Sequence, residues 1–101
     1  MRELEFSTPA VRDLENIKIE SETTWGRVQR ERYIGDLELR IGRLRERPEL
    51  GPPSRDRPDL RRLIVGRHAV FYQFDELRIR IVRILHQHMD APRHLGRPLR
   101  P

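Results

Sequence analysis

The sequence predicts a small α+β domain: an N-terminal strand, an antiparallel helical hairpin and a three-stranded antiparallel meander. Three observations lead to this fold class. A short alternating segment opens the chain, and apolar residues at helical spacing follow it up to about residue 45. After a proline-rich connector, the apolar residues recur with a period of two up to residue 85. The hairpin must then cover one face of the sheet, because both would otherwise expose apolar side chains to water. The other face is predicted to be free for function.

The segment "ELEF" predicts the first strand, because Leu4 and Phe6 alternate with two glutamates. The next segment, "STPA", predicts the start of a helix. Ser7 or Thr8 can cap it, since a side-chain oxygen there accepts a hydrogen bond from a free backbone N–H group. Pro9 suits the first helical position, where its missing N–H group costs nothing.

A second, longer helix is predicted from about Glu22 to Arg45, after the first helix fades near residues 20–21. Its apolar stripe has spacings of three, four and three residues, as one face of a helix requires. The stripe consists of Ile34, Leu37, Ile41 and Leu44. Gly35 and Gly42 lie beside it and each lowers helix propensity by about 1 kcal/mol. Close packing of the two helices is the predicted reason for both glycines.

Residues 47–59 hold four prolines and no apolar period, which predicts an exposed connector within one domain. Three strands are then predicted at residues 60–66, 68–74 and 77–85, with "GR" and "DE" as their tight turns. The domain is predicted to span residues 1–95 and to be followed by a mobile tail at 96–101.

Charge and composition limit the classes of function. The chain has 101 residues with a net charge of +5, and Lys18 is its only lysine among 21 basic residues. Arginine presents a planar fork of donors that suits carboxylates and phosphates, so acidic protein or nucleic acid is the predicted partner. The absence of cysteine excludes disulfides and thiolate metal sites. No apolar run reaches the roughly 20 residues of a membrane span. We therefore expect a soluble, cytoplasmic protein without a cofactor.

The last predicted strand ends in the segment "RILHQHMD", which breaks the alternation. Without a bulge, Arg83 lies on the side of the strand's isoleucines, while Val82 and Ile84 point to the opposite face. A buried guanidinium without a partner is costly. We expect a carboxylate or backbone carbonyls to hold Arg83, with Asp90 as a candidate; a bulge, a strand end near solvent or a functional contact are the alternatives. Apolar side chains on the second face predict a cover, such as another chain.

Two other groups of residues are open to a structural or a functional interpretation. His86 is predicted as a hydrogen-bonded structural residue, with acid–base chemistry as the alternative, and "HQHMD" is too weak a pattern to predict a metal site. Trp25 is predicted to fill the core where the two helices meet, or else to contact a partner. A basic patch near the hairpin turn is predicted as either solvated surface or a contact for acidic protein or phosphate. This patch comprises Arg61, Arg62, Arg67 and His68.

Several segments resemble, in order and spacing, the ParE branch of the RelE/ParE family of toxins from type II toxin–antitoxin systems. They are "STPAVRDLENI", "WGRVQRERYIGDLELRIGRL", "RPELG", "LRRLIVGRHAVFYQF" and "IRIVRILHQHMD", and the resemblance covers about residues 3–95. It implies the same order of strand, helical hairpin and meander. It also implies a toxin that inhibits DNA gyrase and is neutralised by a ParD-like antitoxin in a hetero-oligomer.

RelE-type relatives cut messenger RNA at the ribosome, so the fold alone does not separate the two activities. A chain of that type would use Arg61, Arg67, Arg83 and His86. The end of the last strand holds no tyrosine and the sheet no lysine, so a protein that is not an enzyme is predicted and an endoribonuclease is the alternative. A binding module without toxicity is a third option. The surface predicted to contact the antitoxin or the target comprises Trp25, Arg61, Arg62, Arg67, His68, Val82, Arg83, Ile84 and His86.

Overall fold

The computed structural model describes residues 1–89 and 91–96, except for the side chain of Pro92, and confirms the predicted α+β class. Asp90 and residues 97–101, which form most of the predicted tail, lie outside this description. Within the described ranges, no helix is long and apolar enough to cross a membrane. The elements are β1 (Glu3–Phe6), α1 (Thr8–Trp25), α2 (Arg27–Arg43), a 3₁₀ turn (Pro48–Leu50), β2 (Arg61–Val65), β3 (His68–Phe74), β4 (Arg78–His86) and α3 (Ala91–Leu95).

The start of α1 follows the predicted cap. The Ser7 hydroxyl accepts a hydrogen bond from the Ala10 N–H group at 3.1 Å, and Pro9 lies in the first turn. The same hydroxyl donates to the Val82 carbonyl at 2.6 Å. Ser7 therefore satisfies a free donor of the helix and also ties the start of α1 to β4.

The break between the helices is at Gly26, so the predicted boundary near residues 20–22 is wrong. Gly26 has a φ angle of +81°, a conformation that glycine adopts without steric cost and other residues avoid. Nothing in Glu20, Ser21 or Glu22 interrupts the backbone, and α1 continues through them to Trp25. Trp25 consequently ends the first helix and does not open the second.

The sheet has the strand order β1-β4-β3-β2. The antiparallel meander of β2, β3 and β4 is present as predicted. The first strand adds to it in parallel beside β4, with Glu3 opposite Arg78 and Phe6 opposite Ile81. The last strand is therefore an inner strand over its first half. Beyond Ile81 no strand pairs with its outer edge among the described residues, and α1 lies there.

The helices cover one face of the sheet, where most buried apolar side chains form a single core. The largest fully buried side chains there are Tyr72, Leu37, Ile41, Leu44, Ile79 and Ile81. These residues come from α2, the end of the hairpin and the two inner strands. The apolar stripe predicted for the second helix is therefore confirmed as its buried face.

The second face of the sheet is covered at one end, where it was predicted to be free. Four buried residues form a smaller cluster there: Leu60, Ala69, Phe71 and Leu85. Val82, together with Ala91 and Leu95 of α3, packs against this cluster. The predicted cover of this face is therefore supplied by the chain's own α3, and not by another chain. The other end of this face remains open and polar, with Glu5, Gln73, Arg78 and Arg80 around a shallow cleft.

A bulge in β4 changes the facing of its last residues. Tyr72 lies opposite Ile81 and Phe71 opposite Arg83, so Val82 is an extra residue on β4. Val82 packs on the second face as predicted, but Ile84 joins the main core with an exposed fraction of 2%. The predicted facing of Ile84 is wrong, because one inserted residue exchanges the two sides of a strand.

The two glycines of α2 do not mark close helix packing, contrary to the prediction. A Cβ atom placed on Gly35 or Gly42 would have no atom within 4 Å outside the local helix backbone. We therefore expect Gly35→Ala to raise the free energy of unfolding by about 0.5–1 kcal/mol, because alanine restricts the unfolded chain and favours the helix. Urea denaturation measures this change.

Gly51→Ala is the control, with the opposite expected sign. A Cβ atom at Gly51 would lie 2.9 Å from backbone atoms of Arg62 and from the Tyr72 hydroxyl. Overpacking of this kind typically costs about 1–3 kcal/mol. A destabilised Gly35→Ala variant would mean that the outer surface of α2 is occupied.

Candidate functional site

Four of the predicted contact residues meet in a small cleft of about 80 Å³ between the C-terminal half of α1, the turn from β2 to β3, and the end of β4. They are Trp25, Arg67, His68 and His86. The α1 side of the cleft is lined by residues about one helical turn apart, so a single face of the helix forms this wall. These wall residues are Ile17, Glu20, Ser21 and Thr24. We call this cleft the upper cleft.

Arginine stacked on tryptophan forms the mouth of the upper cleft. The Arg67 guanidinium carbon lies 4.6 Å from the centre of the Trp25 ring, within the range of a cation–π contact. Trp25 is half-buried and packs edge-on against Tyr33 at 5.6 Å. The prediction that Trp25 fills the core is therefore wrong, because Gly26 leaves it at the rim. Within the described ranges, Arg67 forms no ion pair and its donors face solvent.

A tyrosine orients the buried imidazole of the cleft. The Tyr33 hydroxyl lies 2.5 Å from His68 Nδ1, 3.0 Å from the Val65 carbonyl and 3.1 Å from the Arg67 amide nitrogen. All three contacts are satisfied together when the Tyr33 hydroxyl donates to the Val65 carbonyl and accepts from His68 Nδ1 and from the Arg67 amide. His68 then carries its proton on Nδ1, and Nε2 is an acceptor. Burial raises the pKa of Tyr33, which keeps its hydroxyl protonated.

His86, at the end of β4, and His88, two residues beyond it, form a row of neighbouring imidazole rings with His68. The ring centres of His68 and His86 are 5.6 Å apart, and those of His86 and His88 are 5.2 Å apart. His86 Nδ1 accepts a hydrogen bond from the His88 amide at 3.2 Å. His86 is therefore hydrogen-bonded as predicted, and its structural role stays a prediction. Within residues 1–89 and 91–96, no group of three or more potential ligands could hold a metal ion.

His68 stays neutral over the physiological range. Burial lowers the pKa of His68 to about 4, with further contributions from His86 and Arg67. An unfolded histidine has a pKa of about 6.5. Between these values the unfolded chain binds a proton that the folded chain does not bind, so stability falls as the pH falls.

We expect acidification from pH 6.5 to pH 4 to lower the free energy of unfolding by about 2 kcal/mol through His68 alone. Chemical denaturation at several pH values measures this slope. His68→Gln removes the titrating group and should flatten it, whereas His88→Gln, at an exposed position, should leave it unchanged. Equal slopes in the His68→Gln variant and the parent protein would contradict this assignment.

A second cleft, of about 200 Å³, continues along α1 toward the end of β4 and contains Arg83. The Asp13 carboxylate holds Arg83 at both oxygens, with Nε at 2.7 Å and Nη2 at 2.9 Å. The His94 carbonyl accepts from Nη1 at 3.2 Å. The bond to Asp13 raises the pKa of Arg83. As predicted, a carboxylate and a backbone carbonyl bind the Arg83 guanidinium. The carboxylate is that of Asp13 on α1. We call this cleft the lower cleft.

Sequence reasoning missed Asp13, although its carboxylate accepts three hydrogen bonds in the lower cleft. Besides Arg83, it accepts a hydrogen bond from the Ile84 amide at 2.9 Å. Its side chain is only 12% exposed. A signal was present in the sequence: a carboxylate lies on the first turns of a helix that must cross the last strand. Which acidic residue of α1 pairs with Arg83 depends on where this helix crosses β4, and the sequence does not specify that position.

The predicted basic patch does not exist as one surface. Arg67 and His68 lie at the turn, but Arg61 is at the opposite end of β2, roughly 13 Å away along the strand. The Arg61 guanidinium donates to the Gly51 carbonyl at 2.7 Å and lies 5.6 Å from the centre of the Phe74 ring. Arg62 lines a separate cleft beside Gln87 and Met89. The nine predicted contact residues therefore do not form one surface: four line the upper cleft, and the others lie elsewhere or are buried.

Comparisons with known proteins agree with this architecture. The model of a family described as "ParE toxin of type II toxin-antitoxin system, parDE" matches residues 4–91. "Toxin ParE1" of Caulobacter vibrioides is 38% identical over 97 residues, which are 95% of this chain and 100% of that protein. "Toxin ParE1" of Mycobacterium tuberculosis is 40% identical over 73 residues, which are 70% of this chain and 74% of that protein.

A solved structure described as "Chromosomal ParDE TA system from P. aeruginosa" has the same fold. It superposes with a TM-score of 0.74 over 85% of this chain and 96% of that chain, at 21% identity. The family match covers most of the chain, and the identity to the curated toxins extends over more than two thirds of it. The chain therefore belongs to the ParE toxin family of type II toxin–antitoxin systems.

Proposed function

We propose that this ParE toxin inhibits DNA gyrase in the cytoplasm without acting as an enzyme, and that a cognate ParD-like antitoxin neutralises it. The observation that supports inhibition over RNA cleavage is that two of the four residues that a cleaving chain would use are bound within the chain itself. Arg61 is bound to the Gly51 carbonyl and Arg83 to Asp13. His86 shares the upper cleft with Arg67 and the lower cleft with Arg83, while Arg61 lines neither.

Acid–base cleavage of a phosphodiester requires its acid, base and charge-stabilising groups within hydrogen-bond reach of one phosphate. Arg83 could contribute only by giving up a bidentate ion pair. His68, the remaining imidazole of the upper cleft, is a weak base because its pKa is about 4. The open part of the second sheet face also mixes Glu5, Asp59 and Asp75 with its arginines, which disfavours a polyanion such as RNA.

The net charge of +5 supports neutralisation by an acidic antitoxin, as does the exposed Arg67, which forms no ion pair among the described residues. Charge steers the encounter, while buried apolar anchors supply most of the affinity. A stable hetero-oligomer requires an interface of roughly 1,600 Å². Of the nine predicted contact residues, Ile84 is buried in the core with an exposed fraction of 2%, so it offers no surface to this interface.

Two assays run side by side test the proposal. The purified chain is added to gyrase with relaxed plasmid and ATP, and to a cell-free translation system. We expect loss of negative supercoiling, normal translation, and recovery of supercoiling when the purified cognate antitoxin is added. Normal supercoiling with arrested translation and cut messenger RNA would establish the endoribonuclease instead.

The double variant Arg67→Ala/His86→Ala is a control for the translation assay, because it removes both candidate cleavage residues of the upper cleft. If the chain cuts RNA, this variant should lose the activity while keeping its thermal stability. A chain that changes neither assay and does not slow growth when expressed is a binding module without toxicity, which would also overturn the proposal.

A further inference from the structure

Two further clefts lie at the β2 edge of the sheet. One, of about 380 Å³, lies between the connector and β2. The other, also of about 380 Å³, extends to the residues after β4 and the start of α3. The two clefts share Ser54, Arg55 and Arg62, so they form one continuous surface. We call their exposed and half-buried part the β2 surface, which comprises Leu50, Pro52, Pro53, Arg55, Arg62, Ile64 and Met89.

The second half of β2 has a free backbone edge. The connector pairs with the start of the strand, where the Ser54 amide donates to the Leu60 carbonyl and the Arg62 amide to the Pro52 carbonyl, both at 2.8 Å. The Arg62 amide therefore points away from β3. Residues two apart on a strand direct their backbone groups to the same side, so the Ile64 N–H and carbonyl groups also point outward. Among the described residues, neither group has a hydrogen-bond partner. An unpaired strand edge can accept a further strand.

Apolar side chains lie exposed around this free edge. Leu50 is 40% exposed, Ile64 is 37% exposed and Met89 is 49% exposed. Each can therefore lose further contact with water when a partner binds, which favours association. Methionine and arginine are enriched at protein interfaces relative to other surfaces. The composition of the β2 surface is thus typical of a contact with another protein.

The charge of the β2 surface is positive. Neither Arg55 nor Arg62 forms an ion pair within residues 1–89 and 91–96. Asp56 is the only carboxylate among the described residues that line the two clefts. Guanidinium groups with free donors suit carboxylates, which they can bind with two parallel hydrogen bonds. The charge therefore favours an acidic ligand.

We propose that the β2 surface contacts gyrase and binds an extended acidic segment of that enzyme. The segment pairs with the N–H and carbonyl groups of Ile64 and places an aspartate or glutamate on Arg55 or Arg62. In this mode the backbone bonds of an added strand provide affinity and the side chains provide specificity. The inference rests on the proposed inhibition of gyrase and assigns the surface of the toxin that carries it out.

The same observations disfavour other occupants. A second copy of the chain would bring the same arginines toward each other in a symmetric interface, between two chains that each carry a charge of +5. A single-stranded nucleic acid is bound largely by stacking its bases on aromatic rings, and none of the described residues that line the two clefts is aromatic. The β2 surface shares no lining residue with the upper cleft, so the two sites can serve different partners.

Crosslinking from a single introduced thiol tests the location of the contact. The chain contains no cysteine, so Ile64→Cys can be labelled at one position with a benzophenone maleimide. Val28→Cys is the matched control, because Val28 is an apolar residue on α2 that is 69% exposed. With purified gyrase and plasmid DNA under illumination, we expect a crosslink to a gyrase subunit from position 64 and none from position 28.

Arg55→Glu tests the charge of the ligand, with Arg32→Glu as a matched control. Both arginines are exposed, and neither forms an ion pair in the part of the chain that the structure describes. We expect Arg55→Glu to raise the toxin concentration for half-inhibition of supercoiling at least about tenfold. Arg32→Glu changes the net charge equally and should alter this concentration less than about threefold. Thermal unfolding of each variant shows whether it is folded.

The outcomes separate this inference from the proposed function. Inhibition of gyrase by the parent toxin, with no crosslink from position 64 and an unaffected Arg55→Glu variant, would overturn the β2 contact and leave the proposed function intact. Absence of inhibition by the parent toxin would overturn the proposed function, and the contact with it. Crosslinks from position 64 to plasmid DNA, to a second copy of the toxin or to the purified antitoxin, and not to gyrase, would contradict the inference.

Discussion

Replacing Asp13 by alanine is expected to lower the free energy of unfolding by about 3 kcal/mol. The carboxylate accepts both bonds from the Arg83 fork and one from the Ile84 amide. Its loss leaves a half-buried guanidinium and a strand amide without partners, and breaking a buried ion pair costs about 3–5 kcal/mol. The value lies at the low end of that range because the Arg83 side chain is 23% exposed and solvent screens part of the charge. Urea denaturation measures the change.

Two further variants locate the effect. Glu15→Ala is the matched control on α1: its carboxylate is 62% exposed and pairs with Lys18 at 3.5 Å, so it should cost less than about 1 kcal/mol. A double-mutant cycle of Asp13→Ala and Arg83→Ala should give a coupling of about 1–3 kcal/mol. Additive effects in the cycle would contradict the ion pair. Loss of toxicity in Arg83→Ala at unchanged stability would make Arg83 a functional contact instead.

Tyr72→Phe is expected to cost about 2–3 kcal/mol, although it removes a single oxygen. The Tyr72 side chain is fully buried. Its hydroxyl donates to the Pro48 carbonyl at 2.6 Å and accepts from the Gly51 amide at 2.8 Å. Phenylalanine would leave two buried backbone groups without partners, and each such group costs about 1–3 kcal/mol.

The same variant should also act locally, because this hydroxyl fixes the connector on the main core. In Tyr72→Phe we expect the Gly51 amide to exchange faster relative to global unfolding, while the Ile84 amide at the far end of β4 keeps its relative protection. Equal acceleration at both amides would mean that the hydroxyl contributes only to global stability. An unchanged free energy of unfolding would mean that water replaces the lost partner.

The fold class and most strand positions could be predicted because they depend on local patterns. The period-two segments became β2, β3 and β4 within one residue of their predicted ends. Ser7 caps α1 as predicted, since a cap depends only on a side chain and its next turn. The exception is the helix break: the polar run at residues 20–22 resembles a helix end, but the break lies at Gly26, which has a positive φ angle.

Other features depend on contacts between distant residues. The bulge at Val82 follows from the register between β3 and β4, which no single strand's sequence specifies. Because of this bulge, Ile84 points into the main core and not to the second face of the sheet. Asp13 became the partner of Arg83 because α1 crosses β4 at that point. The residues of α3 carried no helical period long enough to predict a helix that covers Phe71.

The parallel pairing of β1 with β4 also has a consequence for synthesis on the ribosome. The first strand finds its only described neighbour in the last one, and Ser7 bonds to Val82 across a sequence separation of 75 residues. Contacts this distant in sequence form slowly, because a long loop must close first. A nascent chain also lacks β4 until residue 86 has left the exit tunnel. This toxin therefore reaches its native state only after β4 has emerged, and products truncated before β4 should lack the complete sheet and be degraded.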